Sequence, residues 1–131
     1  LSHRYKWETN DSNIKHTNQL HKTKTTMSIL NANPTLKDIQ EYVIELEKER
    51  GFSEQTVLQK CLMLGEEVGE LFKAIRKQQN IKIDSNSKFG TIDEELADIL
   101  IFICSIANRN EIDLEKAFRD KEEINKTRIW K

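Results

Sequence analysis

The sequence predicts an all-α domain, a bundle of about four helices that is completed by oligomerisation. Apolar residues recur at helical spacing in four separate segments of the 131-residue chain. One proline and four glycines leave few turn signals for a multi-stranded sheet. From residue 96 to residue 107 the chain is almost entirely apolar, with Asp98 and Ser105 as the polar exceptions. A helix of this kind must be covered on nearly all sides, and we expect a second copy of this small chain to help cover it.

The first two helices are predicted from their start and stop signals. Asn33 is expected to be the N-cap of the first helix, with Pro34 in its first turn, and Gly51 to end that helix. Ser53 is expected to be the N-cap of the second helix, which should run to about Gln78.

The third and fourth helices follow a predicted loop over residues 79–90, which is rich in Asn and Ser. Thr91, with Glu94 three residues later, is typical of a helix start with a capping box. A turn over residues 108–112 leads to Asp113, the expected N-cap of the fourth helix. The side chains that we expect this last helix to bury are Leu114, Ala117, Phe118, Lys121 and Ile124.

Net charge, cysteine positions and the composition of the N-terminal segment limit the classes of function that the chain can have. A formal net charge of -1 gives no broad electrostatic reason to bind nucleic acid or a membrane surface. Cys61 and Cys104 both lie in apolar helical patterns, so we interpret them as small core residues in a reducing compartment. Because the N-terminal segment carries no apolar core typical of a signal peptide, we expect a cytoplasmic protein. Residues 1–33 are polar and are predicted to be a tail, whereas residues 34–131 form the helical domain.

Two predicted helices each carry a pair of carboxylates one turn apart. Glu67 and Glu70 lie on the second helix, and Glu95 and Asp98 lie on the third. We expect Asp98 to be buried, and a buried carboxylate is normally paired or bound to a metal. If the two helices pack antiparallel, all four carboxylates can meet in one pocket. Such a cluster needs cations, and all-oxygen ligands suit Mg²⁺ or Mn²⁺.

Two structural alternatives compete with this metal site. A Glu-x-x-Glu pair on a helix can simply form a solvated face. Asp98 can instead belong to a structural ion pair, with Arg109 or Lys121 as its partner. No histidine occurs in these helices, which argues against zinc and against a di-iron site.

A family resemblance favours the metal site. Residues 64–75 read LGEEVGELFKAI and residues 94–100 read EELADIL, and together they resemble the MazG-type all-α nucleotide pyrophosphohydrolases. The pattern of that family is Glu-x-x-Glu, a variable spacer and Glu-x-x-Asp. Residues 121–130, KEEINKTRIW, are similar to the closing helix of the family. The resemblance covers roughly residues 35–130 and implies a MazG/dUTPase-type four-helix domain.

The resemblance implies cleavage of a nucleoside triphosphate between its α and β phosphates, giving the monophosphate and pyrophosphate. By that analogy Glu67, Glu70, Glu95 and Asp98 match the family pattern and would hold Mg²⁺. Family members often complete the nucleotide pocket across subunits, so a homodimer or homotetramer is expected.

The resemblance also suggests roles for residues outside the metal set. Glu66 or Glu67 would activate the attacking water, while Lys121, Asn125 and Arg128 would face the phosphate chain. Narrower activities remain open, namely a phosphoribosyl-ATP or dUTP pyrophosphohydrolase. A non-catalytic helical interaction protein is the alternative of another class.

Overall fold

The computed structural model describes residues 27–129, and within that range it contains four α-helices and no strand. This architecture confirms the predicted all-α fold. The helices are α1 (Leu36–Glu49), α2 (Val57–Gln78), α3 (Ile92–Arg109) and α4 (Leu114–Lys126). The end of α2 at Gln78 is the predicted one.

The start of α1 differs from the sequence prediction. Thr35, not Asn33, is the N-cap residue. Its hydroxyl oxygen accepts from the backbone N–H of Asp38 at 3.1 Å, and the Asp38 carboxylate accepts from the backbone N–H of Thr35 at 2.8 Å. This reciprocal pair satisfies two backbone donors, which Asn33 could not do without an acidic or amide side chain three residues later.

The start of α2 also needs a correction, for the same reason. Thr56, not Ser53, is the N-cap, because Gln59 completes a capping box with it. The other two starts confirm the predictions, with Thr91 as the N-cap of α3 and Asp113 as the N-cap of α4.

The ends of three helices share one geometry. After α1, Gly51 has a φ of +72°, and the N–H of Phe52 donates to the carbonyl oxygen of Glu47 at 2.8 Å. This is a Schellman motif, and it confirms Gly51 as the stop signal. Asn80 and Glu111 take the same left-handed position after α2 and α3, each with a φ of 55°.

The helices pack around α3. Its largest contact is with α2, and α1 lies against another side of it, whereas α4 packs mainly against α1. Among the described residues the fully buried apolar core is small. Its members are Val43, Leu46, Ala74, Cys104 and Ala107.

A buried ion-pair network joins α1, α2 and α3. Glu47 of α1 pairs with Lys60 of α2 at 3.0 Å and with Arg109 of α3 at 2.7 Å. The hydroxyl group of Ser105 donates a further hydrogen bond to Glu47. Glu47, Lys60 and Ser105 are all buried, so this polar group replaces apolar packing at the junction of three helices.

Several predicted core positions are exposed in the single chain. Cys104 is buried as expected, but Cys61 is exposed. The predicted buried line of α4 is wrong, because α4 touches the rest of the chain mainly through α1. Leu114 is half-buried, while the exposed members of that line are Ala117, Phe118, Lys121 and Ile124.

The apolar surface of α3 is only partly covered. Leu96, Leu100 and Ile103 follow one another at spacings of four and three residues, and they are 51%, 38% and 38% exposed. Within the described part of one chain, α1 and α2 leave this stripe exposed, as expected for a helix that a second copy helps to cover, and the second copy itself stays a prediction.

None of the helices in the described range is long and apolar enough to cross a membrane. The predicted tail over residues 1–33 lies largely outside the described residues, and the division into tail and domain stays a prediction.

Candidate metal site

Three carboxylates from α2 and α3 meet at one place. Glu67 of α2 and Glu95 and Asp98 of α3 each contribute one oxygen atom, and these oxygens all lie within 4.8 Å of one another. Glu67 is half-buried, Glu95 is only 2% exposed, and Asp98 lies on the solvent side. The cluster is therefore closed to solvent at Glu95, its floor, and open at Asp98, its mouth, and we call this acidic group the pocket.

Glu95 forms the floor of this pocket. Its Oε1 atom accepts a hydrogen bond from the backbone N–H of Gly90, the residue two positions before α3 begins. Glu67 approaches this floor from α2, and the nearby charge of Glu95 is one of the causes that raise the pKa of Glu67.

Glu67 is the acid of this cluster with the most strongly raised pKa. Partial burial is the main cause that raises its pKa, and the nearby charges of Asp98, Glu70 and Glu95 add to it, bringing the pKa to about 7. A carboxyl group with this pKa is poised to exchange a proton or to accept a cation near neutral pH.

The pKa values of the neighbouring acids Glu70 and Asp98 are also raised. Burial and then the charge of Glu95 raise the pKa of Glu70, with Lys73 acting against this shift. Loss of solvent contact and then the charges of Glu95 and Glu94 raise the pKa of Asp98. Glu70 therefore lies within the field of the cluster, although the group of three closely spaced oxygens does not include it.

The structure brings together some of the predicted site residues and not others. The expected burial of Asp98 is wrong, because none of the four helices described in residues 27–129 covers that side of α3. The alternative ion pair of Asp98 with Arg109 or Lys121 does not form in residues 27–129, where Arg109 binds Glu47 instead. Glu66 is exposed on α2, next to the cluster.

The predicted phosphate-binding residues of α4 and its C-terminal end lie apart from the acids of the same chain. Lys121 and Arg128 are exposed, and the side-chain amide of Asn125 donates to Glu122 at 2.8 Å. Within the described range, no hydrogen bond or ion pair links these residues to the acidic cluster. Their assignment to substrate stays a prediction.

Two features of the structure were not found from the sequence. The first is the pairing of Glu47 with Lys60, which are both buried. A signal existed, since Lys60 lies three residues after Val57 and four before Leu64 on the apolar line of α2. The second is the contact between Gly90 and Glu95, which only the fold of the loop reveals.

The donor set fits a hard divalent cation. Magnesium binds oxygen ligands at about 2.0–2.1 Å, so ligand atoms on opposite sides of the ion are about 4.2 Å apart. Adjacent ligand atoms are closer, about 3 Å apart, so carboxylate oxygens within 4.8 Å of one another are on the scale of one coordination shell but would have to move inward around an ion. Neither imidazole nor thiolate takes part in the cluster, which suits Mg²⁺ or Mn²⁺ better than zinc.

The chain is similar to known proteins of one family. The family profile of the MazG nucleotide pyrophosphohydrolase domain matches residues 52–128. The crystal structure of Ntag-iMazG from Vibrio DAT 722 is 30% identical, has a TM-score of 0.56, and aligns with 75% of this chain and 100% of that chain. Ctag-iMazG from the same source is 31% identical, with a TM-score of 0.53, 72% of this chain and 100% of that chain. Comparison with curated proteins gives no match.

The fold and the cluster together define an all-α domain with an acidic face on two neighbouring helices. The extent of the profile match and the identity to both iMazG structures show more than the fold. The chain belongs to the MazG nucleotide pyrophosphohydrolase family.

Proposed function

We propose that this chain is a Mg²⁺-dependent nucleoside triphosphate pyrophosphohydrolase. It would cleave an NTP or dNTP between the α and β phosphates and release the monophosphate and pyrophosphate, as a housekeeping enzyme of the nucleotide pool. The observation that carries the proposal is the convergence of carboxylate oxygens from Glu67, Glu95 and Asp98 within 4.8 Å. Membership of a pyrophosphohydrolase family supports the reaction class.

In this proposal four carboxylates hold the metal. Glu95 is fixed by the Gly90 N–H and serves as the rigid ligand, while Asp98 at the mouth reaches the side where substrate enters. Glu67 and Glu70 complete the set from α2. When bound, Mg²⁺ would neutralise charge on the phosphate chain and lower the pKa of a coordinated water.

A glutamate of α2 would take the proton of the attacking water. Glu67 has a pKa near neutrality, which suits a general base, and Glu66 lies beside it with its side chain in solvent. Both residues remain candidates, since Glu67 is also a proposed metal ligand. The reaction transfers the α-phosphoryl group to water, breaks the bond from the α-phosphorus to the bridging oxygen, and gives pyrophosphate as the leaving group.

The phosphate-binding residues would come from a partner copy. Lys121 and Asn125 lie in the C-terminal half of α4 and Arg128 follows its end, and α4 packs mainly against α1 rather than against the acidic pair of helices. The exposed apolar stripe of α3 gives a second copy a surface to cover. We therefore propose a homodimer or homotetramer in which α4 of one copy faces the acidic pocket of another.

The test is an assay of pyrophosphate release with Mg²⁺ and a panel of nucleoside triphosphates, including dUTP and phosphoribosyl-ATP. Asp98→Asn keeps the size of the side chain and removes its charge. Because changes in the surroundings of metal ligands already cost about 10–100-fold, loss of a ligand should lower kcat by at least about 100-fold.

Asp120→Asn is the matched control, since Asp120 is an exposed aspartate that pairs with Lys116 on α4. It should retain activity close to that of the wild type. Release of orthophosphate instead of pyrophosphate would contradict the proposed reaction, and full activity of Asp98→Asn would remove Asp98 from the site. Absence of turnover on the whole panel, together with absence of Mg²⁺ binding, would favour a non-catalytic helical protein.

A further inference from the structure

Gly90 touches the most buried carboxylate of the site through its backbone. It is the residue before the N-cap Thr91, and its N–H donates to Oε1 of Glu95. Glu95 lies one turn into α3 and is only 2% exposed, so solvent cannot easily replace this donor. The hydrogen bond fixes the position of this carboxylate oxygen.

The space beside Gly90 is too small for a side chain. A β-carbon placed on this residue would lie 2.8 Å from Oε1 of Glu95 and 2.6 Å from Oε2 of Glu94, closer than carbon and oxygen atoms approach in proteins. Gly90 does not have the left-handed backbone conformation that favours glycine, since among the glycines only Gly51 has a positive φ. Close approach to the two carboxylates is therefore the reason for glycine here.

The other glycines provide a comparison. A β-carbon on Gly65 or Gly69 of α2 would meet no atom within 4 Å. Those positions tolerate alanine sterically, although they are near the same site in sequence. The restriction is specific to Gly90.

We propose that Gly90 is a positioning residue for the metal site, which holds the Glu95 carboxylate in place by its N–H and by the absence of a side chain. The proposal rests on the proposed function only for the identity of the bound group as a divalent cation. The two closest atoms are the ends of flexible side chains, and the β-carbon of Glu94 at 3.2 Å needs to shift by only a few tenths of an ångström, so we expect Gly90→Ala to fold and to displace the Glu95 carboxylate instead.

The first experiment measures Mn²⁺ and Mg²⁺ binding by calorimetry, without substrate. Gly90→Ala should weaken binding by about 10–100-fold, the range seen when partners of metal ligands are changed. Gly65→Ala is the matched control and should bind the metals as the wild type does. Equal metal affinity of Gly90→Ala and the wild type would overturn the proposal.

A second variant separates Glu95 from the helix cap. The carboxylate of Glu94 accepts from the N–H of Thr91 at 2.8 Å, so a β-carbon on Gly90 also disturbs this bond. The double variant Gly90→Ala/Glu94→Ala removes the 2.6 Å contact with the Glu94 carboxylate, keeps the milder 3.2 Å contact with the β-carbon of residue 94, and leaves the clash with Glu95. It should bind metal more weakly than Glu94→Ala by the same factor as before. Equal affinities of these two variants would assign the effect to Glu94 and overturn the proposal.

A third measurement needs no metal. The chain has four glycines, whose amide signals form a separate group in a ¹⁵N-correlated NMR spectrum. Glu95→Ala should move the Gly90 amide proton upfield as its carboxylate acceptor is lost, and an unmoved signal would overturn the contact. Wild-type protein that binds neither Mg²⁺ nor Mn²⁺ would instead overturn the metal site of the proposed function, a result distinct from equal binding by the wild type and Gly90→Ala.

Discussion

Replacing Glu47 by Gln should strongly destabilise the domain. Glu47 is 6% exposed and is the shared acidic partner of Lys60 and Arg109. Lys60 is 2% exposed, and its ammonium group lies 5.5 Å and 5.6 Å from the ring centroids of Phe52 and Phe102. Without the Glu47 carboxylate, the positive charges of Lys60 and Arg109 stay near one another with no negative charge between them.

The magnitude follows from the cost of leaving a buried charge unpaired. Removing one partner of a buried ion pair costs about 3–5 kcal/mol. A domain of this size has a free energy of unfolding of roughly 5–15 kcal/mol. With an m-value of about 2 kcal/mol/M, the urea midpoint of Glu47→Gln should fall by about 2 M.

Urea unfolding followed by far-ultraviolet circular dichroism measures this change. Glu45→Gln is the matched control, because Glu45 lies on the same helix and pairs with Lys48 at 2.7 Å while both side chains are more than half exposed. An exposed pair contributes about 0–1 kcal/mol, so the control should change little. In the Glu47→Gln background, Lys60→Met should recover part of the loss. A loss below about 1 kcal/mol for Glu47→Gln would refute the reasoning.

Three further predictions concern the acidic pocket and the exposed face of α3. Folding raises the pKa of Glu67 from 4.5 to about 7, so the metal-free protein should lose stability as pH rises between these values; Glu67→Gln should remove that part of the dependence in thermal unfolding. Mg²⁺ at 100 times its Kd should stabilise the wild type by about 2.7 kcal/mol, and Glu95→Ala should show a much smaller shift in Tm at the same concentration. Leu100→Asp should reduce the mass measured by light scattering to that of one chain, whereas Ile81→Asp, at an exposed loop position, should not. A wild type with the mass of one chain would contradict the proposed assembly.

The sequence predicted well what depends on neighbours within one or two helical turns. The Thr91 start of α3 and the Gly51 stop of α1 are local signals, and both are confirmed. The predicted N-caps of α1 and α2, Asn33 and Ser53, lie two and three residues before the observed ones. The observed N-caps, Thr35 and Thr56, each gain a second, reciprocal hydrogen bond that the predicted residues lack.

The site was predicted in part for the same reason. The helical spacing of acids along α2 and α3 was enough to predict the two carboxylate pairs. In the structure, Glu67, Glu95 and Asp98 of these pairs lie close together. The exposure of Asp98 was not predicted, since it depends on which helices of one chain cover that side of α3. The support of Glu95 by Gly90 depends on the path of the loop before α3, which periodicity does not encode.

The buried network was missed because its members come from three helices. Glu47, Lys60 and Arg109 are separated by 13 or more positions in the chain, and each alone reads as an ordinary charged residue of a helix. Only the packing of α1 and α2 on α3 shows that they share one buried place.

The central claim is that acids of α2 and α3 hold a divalent cation at one shared pocket. Crystals grown with Mn²⁺ and a nucleotide whose α–β bridge cannot be cleaved, with anomalous diffraction collected at the manganese edge, test it most directly. We predict an anomalous peak bound by Glu67, Glu95 and Asp98, with the α-phosphate of the nucleotide beside it. An anomalous map with no peak at these side chains, while the nucleotide lies elsewhere on the protein, would contradict the account.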